Sequence, residues 1–153
     1  MKPFVLAATL MAAVPVAVVA DVQETDLLGV WLCTTSERES STSSRFEVFS
    51  DGALTGIVQI VSGTDETAIV SDLDYQGTWK LQDDILIETL TWLRLKSVTQ
   101  NDLPVLQPVF EQFEEQFQSM VGLRTSSTIL SLDLGYLDLK NRIYGTLSEC
   151  QRE

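Results

Sequence analysis

The chain has 153 residues with 22 acidic against 10 basic side chains, no histidine, and a net charge of −12 at neutral pH. So acidic a surface repels nucleic acid and anionic lipid, which are bound through Lys and Arg clusters. Without imidazole, the usual serine and cysteine nucleophiles lose their base and metals lose a common ligand.

Residues 1–20 are expected to be an export signal: Lys2 gives a positive start, an apolar run continues through Val16, and Val18 and Ala20 suit small-residue cleavage. Pro15 interrupts the run and no basic cluster follows, which argues against a retained membrane anchor. The expected mature domain is therefore 21–153, one domain in length, exported to a periplasm or to the extracellular space.

Strand signals then follow in order. Leu27 to Thr35 reads as the first strand, and the polar stretch "SERESSTSSR" after it as a mobile loop. Phe46, Val48 and Phe49 lead through Ser50-Asp51-Gly52, a hairpin turn, into Ala53 to Val61. Gly63-Thr64-Asp65 turns the chain into Thr67 to Tyr75, which continues from Gln76 to Leu81 past a bulge expected near Gly77. After the Gln82-Asp83-Asp84 turn comes the longest strand, Ile85 to Ser97. Its alternation sets Ile85, Ile87, Thr89, Thr91, Leu93 and Leu95 on an inner side, and Leu86, Glu88, Leu90, Trp92, Arg94 and Lys96 outside.

"PVLQPVFEQFEEQFQSMVG" breaks this period. Leu106, Val109, Phe110, Phe113, Phe117, Met120 and Val121 share one helical face, opposite Glu111, Glu114, Glu115 and Gln118. Asn101 and Asp102 are candidate caps, Pro108 fits only the first turn, and Gly122 is a natural stop, so the helix is expected from about Val105 to Val121. Such a stripe by default packs into a core; a lid over an apolar cavity and an exposed interaction face are the other uses. Ser126 to Leu139 then reads as one strand with Leu130, Leu132, Leu134 and Tyr136 on a side, and Lys140-Asn141 turns into a last strand, Ile143 to Cys150.

The fold expected is mainly β: a single antiparallel barrel of seven or eight strands with one amphipathic helix inserted between late strands. Cys33 and Cys150 are the only cysteines, and in an oxidising compartment two thiols pair. That bond joins the first and last predicted strands, which a closed barrel makes neighbours.

Gly29-Val30-Trp31, with Gly77-Thr78-Trp79 and the stretches "FSDG" and "DYQGTWKLQDDIL", resembles the lipocalin-like group of small secreted β-barrels. The resemblance implies that Trp31 closes the narrow end of the barrel beside a basic residue of the last strand, for which Arg142 is available. The helix departs from the family pattern, which places one after the last strand. Alternation also sets Trp31 and Cys33 opposite Val30 and Leu32, so if the aliphatic side faces inward the tryptophan faces out.

For chemistry, no catalytic group, metal site or cofactor is expected. Asp72 and Asp74 read as turn carboxylates before they read as a weak calcium site, and a carboxylate hydrolase has no particular acid to name. The function expected is binding of a small apolar or amphiphilic molecule. Leu93, Phe110, Phe113, Phe117, Leu132 and Tyr136 would enclose it, with Thr89 and Thr91 orienting it, although threonine is also simply a good strand former. The alternative is a solid barrel that meets a protein partner as an interaction module or inhibitor.

Overall fold

Residues 22–64 and 67–153 are described in the computed structural model; the expected export signal and Asp65 of the Gly63-Thr64-Asp65 turn lie outside them. The elements are α1 (Glu24–Leu27), β1 (Gly29–Ser36), β2 (Ser40–Val48), β3 (Ala53–Ser62), β4 (Ile69–Gln82), β5 (Ile85–Gln100), β6 (Leu103–Pro104), α2 (Gln107–Gln118), β7 (Arg124–Leu132), β8 (Tyr136–Asn141) and β9 (Leu147–Arg152). All pairings are antiparallel. β1 to β5 form a meander, β5 continues to β7, β8 and β9, and β9 returns to β1, which closes an eight-stranded barrel; β6 is a short extra ribbon on β5.

Several local expectations are corrected. The serine-rich stretch is not a loop from Ser36 to Arg45: β2 begins at Ser40 and pairs along its whole length with β3. Pairing on both edges satisfies its backbone, which its polar side chains alone did not reveal. Ser126 to Leu139 is two strands, because the Asp133 carboxylate accepts the backbone N–H of Gly135 and Tyr136 at 2.9 Å each and turns the chain. The last strand starts at Leu147, after Asn141 makes the same kind of turn with Ile143 and Tyr144. Asn101 and Asp102 cap no helix; their positive φ angles, 51° and 62°, form the tight β5–β6 turn.

The barrel interior is lined by Trp31 and Cys33 of β1, Phe46 and Val48 of β2, Leu54 of β3, Trp79 of β4, Leu86 of β5, Ile129 of β7, Leu137 and Leu139 of β8 and Cys150 of β9. One residue set drawn from all eight strands can meet only inside the barrel. Trp31 therefore faces in, and Leu32, with 45% of its surface exposed, faces out. Leu27 of α1 covers this end, where Trp31 Nε1 donates to its carbonyl at 2.8 Å. The Arg152 guanidinium lies 4.3 Å from the centre of the Trp31 ring and donates to the Leu28 carbonyl at 2.6 Å. The basic residue of the last strand beside Trp31 is thus Arg152, while Arg142 lies in the exposed turn before β9. Cys33 and Cys150 stand opposite each other across β1 and β9 and are disulfide-bonded.

Candidate functional site

The other end of the barrel is built differently, and β5 is the reason. Leu90 pairs with Gly77 and Trp92 with Gln76, so Thr91 has no partner on β4; Lys96 is likewise skipped between Leu95, opposite Leu73, and Ser97, opposite Asp72. Each extra residue reverses the alternation. Below Thr91 the inward residues are Leu86, Glu88 and Leu90; above it they are Leu93 and Leu95. The single inner side expected along this strand is correct only for its upper half, and Thr89 lies on the face away from the interior.

Leu73, Leu93, Leu95 and Val98 form a second buried cluster, against which Val58, Ile60, Phe110, Phe113 and Phe117 pack. Helix α2 runs back along β5 and is tied to it by Gln118 Nε2 donating to the Leu93 carbonyl at 2.7 Å. No residue of α2 is fully buried, and all three phenylalanines keep accessible surface. This cluster draws on β3, β4, β5 and α2. The facing wall, from β1, β2 and β9, turns hydroxyls inward: Thr35, Thr42, Ser44 and Ser148 are on the same face as Cys33 and Cys150 and are half-buried. Thr35 Oγ1 and Ser148 Oγ share a hydrogen bond of 2.6 Å. The upper interior is therefore apolar on one side and hydroxyl-lined on the other.

Two further polar groups lie between this region and the packed end. Glu88 stands in register with Trp79 and Thr125 on the inward side of β5, and burial pushes its carboxyl pKa up. Tyr75 lies over Gly56, where an added Cβ would come 2.8 Å from the ring. Its hydroxyl is pushed far above the usual tyrosine range, first by burial and then by the Glu88 charge. Neither side chain takes part in a hydrogen bond or ion pair with another described residue, and both residues retain accessible surface, their unpartnered oxygens included.

Of the residues singled out from sequence, Leu93, Phe110, Phe113 and Phe117 come together in the second cluster. Leu132 packs at the opposite, closed end. Thr91 is exposed at the bulge, and Tyr136, 58% exposed, points away from the interior. Glu88, Tyr75 and the hydroxyl wall were missed. Glu88 alternates with leucines just as an outward acid would, and only the unpaired Thr91 reverses its direction.

A concavity of about 880 Å³ lies on the outer face of the wall, lined by residues such as Leu32, Arg45, Ile57, Lys96, Tyr136 and Glu149. The hyperboloid form that strand twist gives a barrel leaves such a waist outside. Both of its basic side chains are already engaged: Arg45 pairs with Glu153 at 2.6 Å and Lys96 with Asp74 at 3.4 Å. Asp72 accepts from Ser97 at 2.7 Å and Gln59 at 2.9 Å, which holds its carboxyl below the usual range. Among the described residues no cluster of three or more His, Cys, Asp or Glu is placed to hold a metal ion.

No protein-family model matches this chain, and no curated protein matches it in sequence.

Proposed function

We propose that this protein is an exported binding barrel that encloses a small apolar or amphiphilic molecule in its upper half. The observation that carries the reading is the incomplete burial of the α2 stripe: Phe110, Phe113 and Phe117 dock on one wall and keep accessible surface, while β1, β2 and β9 carry hydroxyls on the inward face of the same half of the barrel. A helix serving only to fill a core would bury that surface fully. A pocket with a broad apolar wall and a few placed polar groups is the usual composition of a small-molecule site. The Cys33–Cys150 disulfide supports export to an oxidising compartment. Trp31 packed beneath Arg152 at the closed end supports the lipocalin-like reading.

The test is a fluorescence titration with N-phenyl-1-naphthylamine, a neutral apolar probe. Saturable enhancement is expected. The double substitution Phe113→Ala and Phe117→Ala should weaken binding by about tenfold, since covering about 50 to 60 Å² of apolar surface on the two rings at roughly 25 cal/mol per Å² is worth about 1.4 kcal/mol, which is tenfold. A barrel that shows no saturable enhancement, and whose native mass spectrum has no adduct after purification from its source, is solid. In that case the outer row of Leu32, Ile57, Trp92 and Tyr136, each more than two-fifths exposed, favours a protein-contact role.

A further inference from the structure

Glu88 and Tyr75 narrow the class of molecule, on the assumption that the barrel binds one. From their inward register, their lack of any described hydrogen-bond or ionic partner and the accessible surface they keep, we infer that they receive the cationic end of an amphiphilic amine. The amine's apolar part lies against the α2 phenylalanines.

The chemistry is directional. A buried carboxylate accepts hydrogen bonds only, and a partner left out of reach makes it costly to keep charged. An ammonium group supplies both the counter-charge and the donors, and a neutral phenol beside it adds an acceptor. A fatty acid in the same place would set one carboxylate against another, which is repulsive at short range. The surroundings suit a cation further: the Glu88 partner on β4 is Trp79, and Tyr75 is near enough to feel the Glu88 charge, so two aromatic side chains neighbour the carboxylate. The net charge of −12 draws cations toward the protein from a distance, while Glu88 is the acid that the register aims inward beside the apolar cluster.

The experiment is displacement of N-phenyl-1-naphthylamine by three probes of equal chain length: dodecylamine, dodecanol and dodecanoate. It is run at 1 M salt, where screening over about 3 Å suppresses the general attraction of an acidic surface. The wild-type protein is expected to bind dodecylamine at least tenfold more tightly than dodecanol, and dodecanoate least. Glu88→Gln should bring the amine within about threefold of the alcohol, each affinity being taken relative to that variant's own N-phenyl-1-naphthylamine binding. The wild-type comparison stands alone should E88Q fail to fold. Probe binding with no preference for the amine overturns the inference and leaves the binding barrel intact; absence of probe binding overturns both. An amine preference that survives in E88Q assigns it to the outer acids and also overturns the inference.

Discussion

A carboxyl group inside an apolar barrel leaves a signature in how stability depends on pH. Burial raises the Glu88 pKa in the folded chain above its unfolded value of about 4.3. Within the interval between those two values the folded state holds a proton that the unfolded state has released, so stability falls as pH climbs through it. Above the interval the folded protein bears the whole penalty of a charged interior; below it, none. Glu88→Gln removes the charge at every pH. In the absence of ligand, E88Q should therefore melt higher than the wild type at pH 8, by about 3 °C or more, and the two curves should converge near pH 4. Thermal melts at the two pH values decide the matter: a difference of the same size at both is a packing effect, and the buried charge is then not what sets it. Asp72 behaves with the opposite sign. Its pKa is lowered by donors from Ser97 and Gln59, so its small contribution is present above the unfolded value and lost as pH falls, and its exposure to water keeps that contribution slight.

At the scale of elements, β5 decides what the interior contains. It passes Thr91 and Lys96 without a partner on β4, and each step changes which side chains look inward. Gly77 lies at the first of these steps, where an added Cβ would sit 2.6 Å from the Thr89 carbonyl oxygen, a backbone atom with no rotamer to move. Gly77→Ala must part β4 from β5 there, and a loss of about 1 to 3 kcal/mol is expected, the usual cost of forcing atoms into a packed site. Gly135→Ala is the control, since an added Cβ there meets nothing within 4 Å, and it should change stability by less than about 0.5 kcal/mol. Urea midpoints that coincide for the two variants would show that the strands absorb the methyl group and that the bulge is not tightly built. This step also marks where the sequence stops being readable. The helix was legible because Phe110, Phe113 and Phe117 repeat with a period no strand has. The inward side of β5 was not, because an unpaired Thr91 looks like any other member of an alternating run. Leu130, Leu132, Leu134 and Tyr136 misled in the same way: alternation carries through the turn at Asp133-Leu134-Gly135, although Leu134 at its tip is 95% exposed. Periodicity reports the path of one chain, whereas bulges and hairpins depend on the partner strand.

For the whole molecule the decisive feature is closure, and here two cysteines said more than any pattern of apolar residues. Cys33 and Cys150 are 117 residues apart in sequence and face each other where β1 meets β9. A link over so long a loop stabilises chiefly by restricting the unfolded chain, by about 4 to 5 kcal/mol on the chain-entropy model. The seam has a second fastening, the backbone ladder from Trp31 opposite Arg152 to Thr35 opposite Ser148, with Arg152 held over Trp31 at its lower end. These two contributions act on different states and predict different outcomes when the disulfide is removed. In the double variant Cys33→Ser, Cys150→Ser, an effect on the unfolded chain lowers hydrogen-exchange protection of the slowest amides by the same amount on every strand, from β3 and β4 as much as from β1 and β9. If the bond instead holds a weak seam together, protection is lost in β1 and β9 while β3 and β4 keep theirs, and the barrel opens as a sheet with two free edges. The uniform loss is expected, because the ladder, the tryptophan and the arginine already close the native wall. Loss confined to the seam would mean that closure depends on the disulfide, and that the interior assigned to a ligand forms only under oxidising conditions.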